Sequence, residues 1–297
     1  MALIFILVDG VGLALPGDDN PVASALPELT AILGASLDER LWIEVPRVYA
    51  APIDATLGIP GLPQSGSGHT ALYGGFNAAA LNGRHQPSYP TVAMRAALGQ
   101  RNLLSAARAA GWNVAWANAY LPGYEQAIER RRTRHTAGTW SALGAGLELR
   151  GLEHLVAGTA VSWDVTQALA RSRPGCARLP ELDAAASGAR LAELAAMHDL
   201  VAFETYLPDL AGHGRLALSP PEALRLVDRL LAGVLRSKRA EDTLVVTSDH
   251  GNVEDATTRI HTRNPVPLLA HGPAAAAFAQ VRAIDGVMAA ILEGLRL

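Results

Sequence analysis

The sequence has almost no cysteine, because Cys176 is the only one among 297 residues. A single thiol cannot form a disulfide within the chain or build a thiolate metal cluster. Any bound metal ion must therefore be held mainly by oxygen and nitrogen ligands. An excess of one charge is also missing, since 25 basic and 28 acidic residues give a net charge of −3. This balance argues against a dedicated nucleic-acid binder and against a polybasic membrane binder.

Charged residues are few, at 18%, while hydrophobic residues make up 49% of the chain. That composition supplies a sizeable core, so the chain as a whole is not disordered. The apolar start has no basic region and runs directly into Asp9, so we do not interpret it as a signal peptide. Residues 55–83 lack charged side chains, but their glycines and prolines would leave backbone groups unpaired in lipid. We therefore expect no membrane span and a cytoplasmic protein.

Short apolar runs alternate with segments of helical periodicity along the chain. The predicted strands are Ala2–Val8, Trp112–Ala117, Leu200–Thr205, Thr243–Thr247 and Val266–Ala270. The predicted helices are Asn102–Ala110, Ser187–Met197, Pro220–Ser237 and Ile284–Leu295. This alternation predicts an α/β fold with a largely parallel sheet. We expect one domain over residues 1–297, with a small cap or insertion at about 120–185, where periodicity is weak.

Acidic residues and histidines recur where predicted strands end. The residues of this pattern are Asp9, Asp209, His213, Asp249, His250 and His261. Because the carboxyl ends of parallel strands share one edge of a sheet, these side chains are expected to converge there. Each residue alone is equally consistent with a turn, a helix N-cap or a surface pair. Their repetition favours a site for two divalent metal ions.

A glycine-rich segment with two serines, Ser65 and Ser67, precedes a predicted helix. A hydroxyl at such a position lies beside backbone N–H groups that favour an anion. Gly66 and Gly68 are expected to let a phosphoryl group approach those N–H groups. One interpretation is a serine nucleophile activated by metal coordination. The alternative is a tight turn with a serine N-cap.

Taken together, these motifs resemble the metalloenzyme core of the alkaline phosphatase superfamily, and most of all that of cofactor-independent phosphoglycerate mutase. The matching segments are Asp9, Gln64–His69, Pro208–His213, Thr247–Asn252 and His261–Pro267, in the order that the family has. The resemblance implies an alkaline-phosphatase-like three-layer sandwich. It also implies two divalent ions, Mn²⁺ or Zn²⁺, and selects Ser65 rather than Ser67 as the nucleophile.

The resemblance assigns the metal ligands to two sets. It implies that one ion is held by Asp209, His213 and His261. The second ion is then held by Asp9, Ser65, Asp249 and His250.

The sequence departs from the mutases in two places. The stretch between Ser65 and Asp209 is too short for the complete phosphotransferase domain that the mutases carry there. The bound acceptor that distinguishes a mutase from a hydrolase is therefore not expected with the same certainty as the metal ligands. Gly66 stands where the family has a glutamate. A sulfatase is disfavoured, because Ser65 lacks the sequence context in which those enzymes form formylglycine.

Four arginines fall within residues 129–135, and such a cluster can bind a phosphate or carboxylate through paired hydrogen bonds. The candidates for substrate binding are Arg84, Arg131, Arg132 and Arg263. The alternative for the cluster is a solvated helix face.

The leading hypothesis is a di-metal phosphohydrolase or phosphotransferase that acts on a small phosphorylated metabolite through phosphoserine at Ser65. A phosphomutase of the phosphoglycerate mutase or phosphopentomutase type is the second hypothesis. The third belongs to another class, a metal-binding scaffold without catalysis.

Overall fold

A seven-stranded sheet forms the centre of the computed structural model, which describes residues 1–297. The strands are β1 (Leu3–Val8), β2 (Ile43–Val45), β3 (Val48–Ile53), β4 (Val114–Trp116), β5 (Leu200–Thr205), β6 (Thr243–Thr247) and β7 (Val266–His271). Their order across the sheet is β2-β3-β7-β6-β1-β5-β4. Strands β6, β1, β5 and β4 run parallel, whereas β7 is antiparallel to both of its neighbours and β2 is antiparallel to β3. Five of the seven strands therefore point the same way, which confirms the largely parallel sheet.

Fourteen α-helices surround the sheet. They are α1 (Val22–Ala25), α2 (Pro27–Leu33), α3 (Ser65–Gly74), α4 (Ala78–Asn82), α5 (Val92–Gln100), α6 (Leu103–Ala109), α7 (Tyr124–Glu129), α8 (Ala137–Gly144), α9 (Leu152–Ala157), α10 (Ala168–Arg171), α11 (Ala184–Ala195), α12 (Leu207–Gly212), α13 (Pro220–Ser237) and α14 (Val287–Gly294). Two 3₁₀ helices span Pro273–Phe278 and Ile284–Gly286. The predicted closing helix is thus a 3₁₀ turn followed by α14. None of the helices combines the length and apolar character that a membrane span requires.

The side chains of β1 show why the sheet is covered on both faces. All six are buried, and successive residues of a strand point to opposite faces. Leu3, Phe5 and Leu7 pack in one apolar cluster with residues of α3, α5, α6, α8 and α14. Ile4 and Ile6 pack in a second cluster with residues of α2, α11, α12 and α13. This arrangement confirms the three-layer sandwich.

The segment at about 120–185 contains helices but no strand of the sheet. Two isolated bridges join it to the chain that follows β4, Asn118 with Val161 and Ala119 with Arg150. It also contains a small apolar cluster of its own, formed with Ala119. The segment therefore continues from the carboxyl end of β4. The assignment of the whole chain to one domain stays a prediction.

Candidate metal centre

The carboxyl edge of the parallel strands collects the acidic residues that the sequence singled out. Asp9 directly follows β1, Asp249 lies two residues beyond β6, and Asp209 lies in the first turn of α12, after β5. His261 differs, because it precedes β7 rather than following a strand. Since β7 is antiparallel to β6, its beginning lies at the same edge, and His261 reaches the site from there.

The first set of candidate ligands is Asp209, His213 and His261. Asp209 Oδ1 lies 3.3 Å from His213 Nε2 and 3.4 Å from His261 Nε2. The Nδ1–H of His213 donates to the Arg259 carbonyl at 2.7 Å, and that of His261 donates to the Pro63 carbonyl at 2.7 Å. These bonds orient both rings so that Nε2 faces Asp209, the arrangement in which backbone carbonyls fix metal-binding histidines.

The second set is Asp9, Asp249 and His250. His250 Nε2 lies 3.3 Å from Asp9 Oδ1 and 3.2 Å from Asp249 Oδ2. Both of those carboxylate oxygens are buried, and neither has a hydrogen-bond donor. Buried carboxylate oxygens without a donor are costly unless a cation neutralises them. The donor set therefore fits a divalent ion.

The electrostatics of the metal-free site point the same way. Burial raises the pKa of Asp9 to about 7, and the nearby Asp249 and Asp209 carboxylates add to the shift. Burial lowers the pKa of His250 to about 4, with a further contribution from His261. Burial acts to raise the pKa of Asp209, but hydrogen bonds from His213 and His261 outweigh it and lower the pKa. A neutral imidazole among crowded carboxylates is a suitable ligand environment for a cation.

Ser65 is the first residue of α3 and lies beside the second set. Its Oγ is 3.0 Å from His250 Nε2. Ser67 instead is fully buried, where its hydroxyl donates to the Gln64 carbonyl at 3.0 Å and accepts from the Gln86 N–H at 3.2 Å. Ser67 therefore stabilises the start of the helix, whereas Ser65 adjoins the candidate ligands.

The two glycines of this segment have a packing role that the sequence did not suggest. A Cβ on Gly66 would lie 2.6 Å from the Gln86 carbonyl oxygen, and one on Gly68 would lie 2.8 Å from Asp249 Cβ. The side-chain direction of both glycines is thus filled by protein. Glycine is required because α3 packs directly against Asp249 and the Gln86 backbone, which also explains why no glutamate stands at position 66.

His69, which the sequence motif includes, is buried among three carboxylates. Its Nε2 lies 3.3 Å from both Asp9 Oδ2 and Asp249 Oδ2, and its Nδ1 lies 3.3 Å from Glu204 Oε1. Burial acts to lower the pKa of His69, but Asp249 and Glu204 outweigh it and raise the pKa well above 6.5. Tyr206 donates to Glu204 Oε2 at 2.5 Å. Sequence reasoning missed Glu204, because it lies inside β5 and not after it.

Glu254 is a second residue that sequence reasoning missed. The side chain is buried, and its carboxylate accepts hydrogen bonds from the N–H groups of Gly12 at 2.9 Å and Asn252 at 2.8 Å. It also accepts from the Thr262 hydroxyl and, at 3.1 Å, from the Asn264 side-chain amide. One carboxylate thus joins the loop after Asp9, the loop after His250 and the segment after His261. The signal in the sequence is its position two residues after the end of the Asp-His-Gly-Asn motif.

The four candidate substrate-binding arginines are all exposed. Arg263 donates to the Gly61 carbonyl, while Arg84, Arg131 and Arg132 form no side-chain hydrogen bond or ion pair. Helix α7 ends at Glu129, so the cluster lies in an exposed turn and not on a helix face. A solvated surface stays the alternative to substrate binding.

This turn lies near the start of α3. The Thr133 hydroxyl is 3.3 Å from the Tyr89 hydroxyl, and the Tyr89 carbonyl borders Gly66. The structure therefore places the turn on the side of α3 but shows no contact between its guanidinium groups and either ligand set. A substrate-binding role for these arginines stays a proposal.

Comparison with known proteins adds three findings. A family model described as "Metalloenzyme superfamily" matches residues 167–296. A segment of 76 residues is 43% identical to part of a phosphopentomutase of Chromohalobacter salexigens. The segment makes up 26% of this chain and 17% of that relative. The match thus spans less than a fifth of that relative's length.

The third finding concerns the fold. An alkaline phosphatase from a psychrophilic Shewanella species has a TM-score of 0.57 at 13% identity, over 99% of this chain and 100% of that one. The Thermus thermophilus alkaline phosphatase has a TM-score of 0.56 at 14% identity, over 100% of this chain and 91% of that one.

Proposed function

We propose that this chain is a metalloenzyme of the alkaline phosphatase superfamily, and that it transfers the phosphoryl group of a small phosphate monoester to Ser65 and then to an acceptor. One observation carries the proposal. Two complete sets of candidate metal ligands converge at one edge of the sheet, and the Ser65 hydroxyl lies 3.0 Å from a member of one set.

The proposed ligands divide as the two sets do. Asp209, His213 and His261 would hold one divalent ion, and Asp9, Asp249 and His250, with Ser65, would hold the other. Bound ions of this kind neutralise phosphoryl charge and activate an attacking oxygen. Mixed carboxylate and imidazole ligands suit Mn²⁺ or Zn²⁺.

The chain's own residues supply the rest of the chemistry. Ser65 Oγ would form the new bond to phosphorus while the ester oxygen leaves and takes a proton. The N-terminus of α3, a helix of ten residues, favours the negative phosphoryl group at that position. Attack by water on the phosphoserine would then release phosphate and restore the serine hydroxyl.

A phosphomutase is the second candidate, because the segment that matches a phosphopentomutase is 43% identical. In that case the acceptor is a second hydroxyl of the same substrate and no phosphate is released. The turn at residues 130–134 lies near the start of α3, where it could position such an acceptor.

The test is a screen of phosphorylated sugars and acids with Mn²⁺ or Zn²⁺ added, in which phosphate release and isomer formation are both measured. Phosphate release supports the hydrolase, and isomer formation without phosphate supports the mutase. Ser65→Ala is the matched control and should be inactive in either case. A protein that binds both ions but turns over no member of the panel would instead favour a non-catalytic metal-binding scaffold.

A further inference from the structure

A cavity of about 300 Å³ lies at the outer edge of β4, lined by residues that belong to neither ligand set. We refer to it as the edge cavity. Its apolar lining includes Trp116, Leu147, Leu194 and Met197. Its volume is at the lower end of the range of about 300–1,000 Å³ that small-molecule sites occupy. The apolar lining suits the uncharged body of a small ligand.

Arg150 lines the edge cavity and carries a positive charge that no acidic group neutralises. Its guanidinium donates to the Thr159 carbonyl and forms no ion pair. The residue is partly buried, and burial lowers the pKa of the guanidinium. A guanidinium has five N–H donors in a planar fork that matches a carboxylate or phosphate. Arg150 therefore has donors left for an anion.

Two histidines and one glutamate complete the charged lining. His154 Nδ1 accepts from the Gly151 N–H at 3.1 Å, so its Nε2 carries the proton in the neutral ring and is a free donor. The Nδ1–H of His198 donates to the Leu194 carbonyl at 2.8 Å, so its Nε2 carries a lone pair in the neutral ring. Glu148 is exposed and is not paired with Arg150. The Arg150 guanidinium and the His154 Nε2–H are thus the two donors that the lining offers to an anion.

The edge of β4 offers further hydrogen-bonding groups to the same cavity. The Leu200 N–H donates to the Asn113 carbonyl at 3.2 Å, and the Ala117 N–H donates to the Ala202 carbonyl at 2.8 Å. Along a parallel strand, every second residue directs its backbone N–H and C=O groups to the same neighbouring strand. Since Asn113 and Ala117 bond to β5, Val114 and Trp116 direct their backbone groups away from β5. Both residues are buried and line the edge cavity. Unpaired backbone groups in such a place call for a partner.

We propose that the edge cavity is a second ligand site, distinct from the metal centre, which binds a small carboxylate or phosphate that carries an apolar group. Arg150 holds the oxyanion, the Nε2–H of His154 donates a further hydrogen bond to it, and the apolar lining receives the rest of the molecule. The backbone edge of Val114 and Trp116 bonds to any polar group on the ligand body. The proposal is independent of the phosphoryl-transfer activity.

The experiment is a calorimetric titration of the metal-loaded protein with benzoate, phenylphosphonate and inorganic phosphate. Benzoate and phenylphosphonate present the two oxyanions on the same apolar body, whereas inorganic phosphate lacks that body. Arg150→Gln removes the charge, and Arg190→Gln is the matched control, since Arg190 donates to the nearby Leu155 carbonyl but does not line the cavity. The same titrations of chelator-treated protein control for binding at the proposed metal centre, because phosphate and phosphonate can also bind metal ions there.

In the chelator-treated protein we expect benzoate or phenylphosphonate to bind with a stoichiometry of one per chain. Arg150→Gln should weaken that binding about tenfold or more, because a charge-assisted pair of hydrogen bonds is lost, while Arg190→Gln leaves it unchanged. Circular dichroism of Arg150→Gln shows whether that variant is folded. Arg150→Lys keeps the charge but lacks the planar guanidinium, so its affinity for the probes should lie between those of Arg150→Gln and the wild type. Equal binding by folded Arg150→Gln overturns the proposal, as does a failure of both aromatic probes to bind. Binding of inorganic phosphate but of neither aromatic probe to the chelator-treated protein overturns the role of the apolar lining.

Discussion

The Nε2 atoms of His213 and His261 lie 3.0 Å apart, and in the neutral rings neither carries a proton. The reason is that each ring donates its Nδ1–H to a backbone carbonyl, and a neutral imidazole has only one N–H. Two lone pairs that face each other repel, and a shared cation removes that repulsion. This relationship makes the first ligand set the most direct test of metal binding.

We predict that Asp209→Asn combined with His213→Ala removes one of two bound ions and leaves the other. The second set, which includes Asp9 and His250, keeps all its ligand atoms in this variant. Elemental analysis of the purified proteins measures the stoichiometry. Two ions per chain in the double variant would show that the division of ligands is wrong.

We predict that metal affinity falls as the pH drops below about 7. Burial raises the pKa of Asp9 to about 7 in the metal-free site, and the hydrogen bond to Asp209 raises the pKa of His213. Both groups are therefore partly protonated near pH 6, and a metal ion must displace those protons. Calorimetry in buffers with different ionisation heats counts the protons released. Asp9→Asn should release fewer protons, and an affinity that is the same at pH 6 and pH 8 would contradict the prediction.

We predict that Ser65→Ala lowers turnover by several orders of magnitude while the fold and most metal binding persist. The carboxylates and imidazoles still hold the ions, but the covalent route is lost. After brief exposure of the wild type to substrate and an acid quench, mass spectrometry should find about 80 Da, one phosphoryl group, on the peptide that contains Ser65.

Ser67→Ala is the matched control for this variant. It removes a buried hydroxyl that donates to Gln64 and accepts from Gln86, so it should cost about 1 kcal/mol of stability and much less activity. Label on Ser67, or full activity of Ser65→Ala, would overturn the assignment of the nucleophile.

We predict that Arg131→Ala and Arg132→Ala raise KM several-fold and change kcat little. The loss of a group that binds substrate and transition state equally has this signature. Arg101→Ala, another exposed arginine, is the control and should behave as the wild type. Unchanged KM in both variants would assign the turn to the solvated surface.

We predict that Glu254→Ala lowers the free energy of unfolding by about 3 kcal/mol, because it leaves several buried donors without an acceptor. Metal affinity should fall at both ligand sets, since Glu254 joins segments that belong to each. Glu254→Gln keeps the shape and one acceptor oxygen, so both effects should be smaller. Denaturant titration and calorimetry measure them. Wild-type metal affinity in a destabilised Glu254→Ala would limit this residue to a structural role.

The sequence predicts the candidate ligands well because they obey a topological rule. Asp9 and Asp249 follow parallel strands, so their convergence is expected from the strand order alone. His261 obeys a different rule, since it precedes an antiparallel strand, and only its motif pointed to it. Glu204 obeys neither rule. Its burial in β5 depends on His69, a partner 135 residues away in the chain.

The hairpin of β2 and β3 could not be predicted from its residues. Strand β3 contains Pro52, which pairs with Pro267 of β7. Proline cannot donate to a ladder and usually argues against a central strand. The neighbouring strands override that local preference, as tertiary contacts often do.

The position of β1 has a consequence for how the protein is made. Strand β1 is synthesised before the other six strands of the sheet, yet its two partners, β5 and β6, are among the last. Until they emerge, the apolar run Leu3–Val8 has two unpaired edges, the condition under which nascent chains aggregate. His261 emerges later still, so neither sheet nor metal centre can form while most of the chain is being translated. The strand order itself thus leaves β1 open to aggregation until late in synthesis.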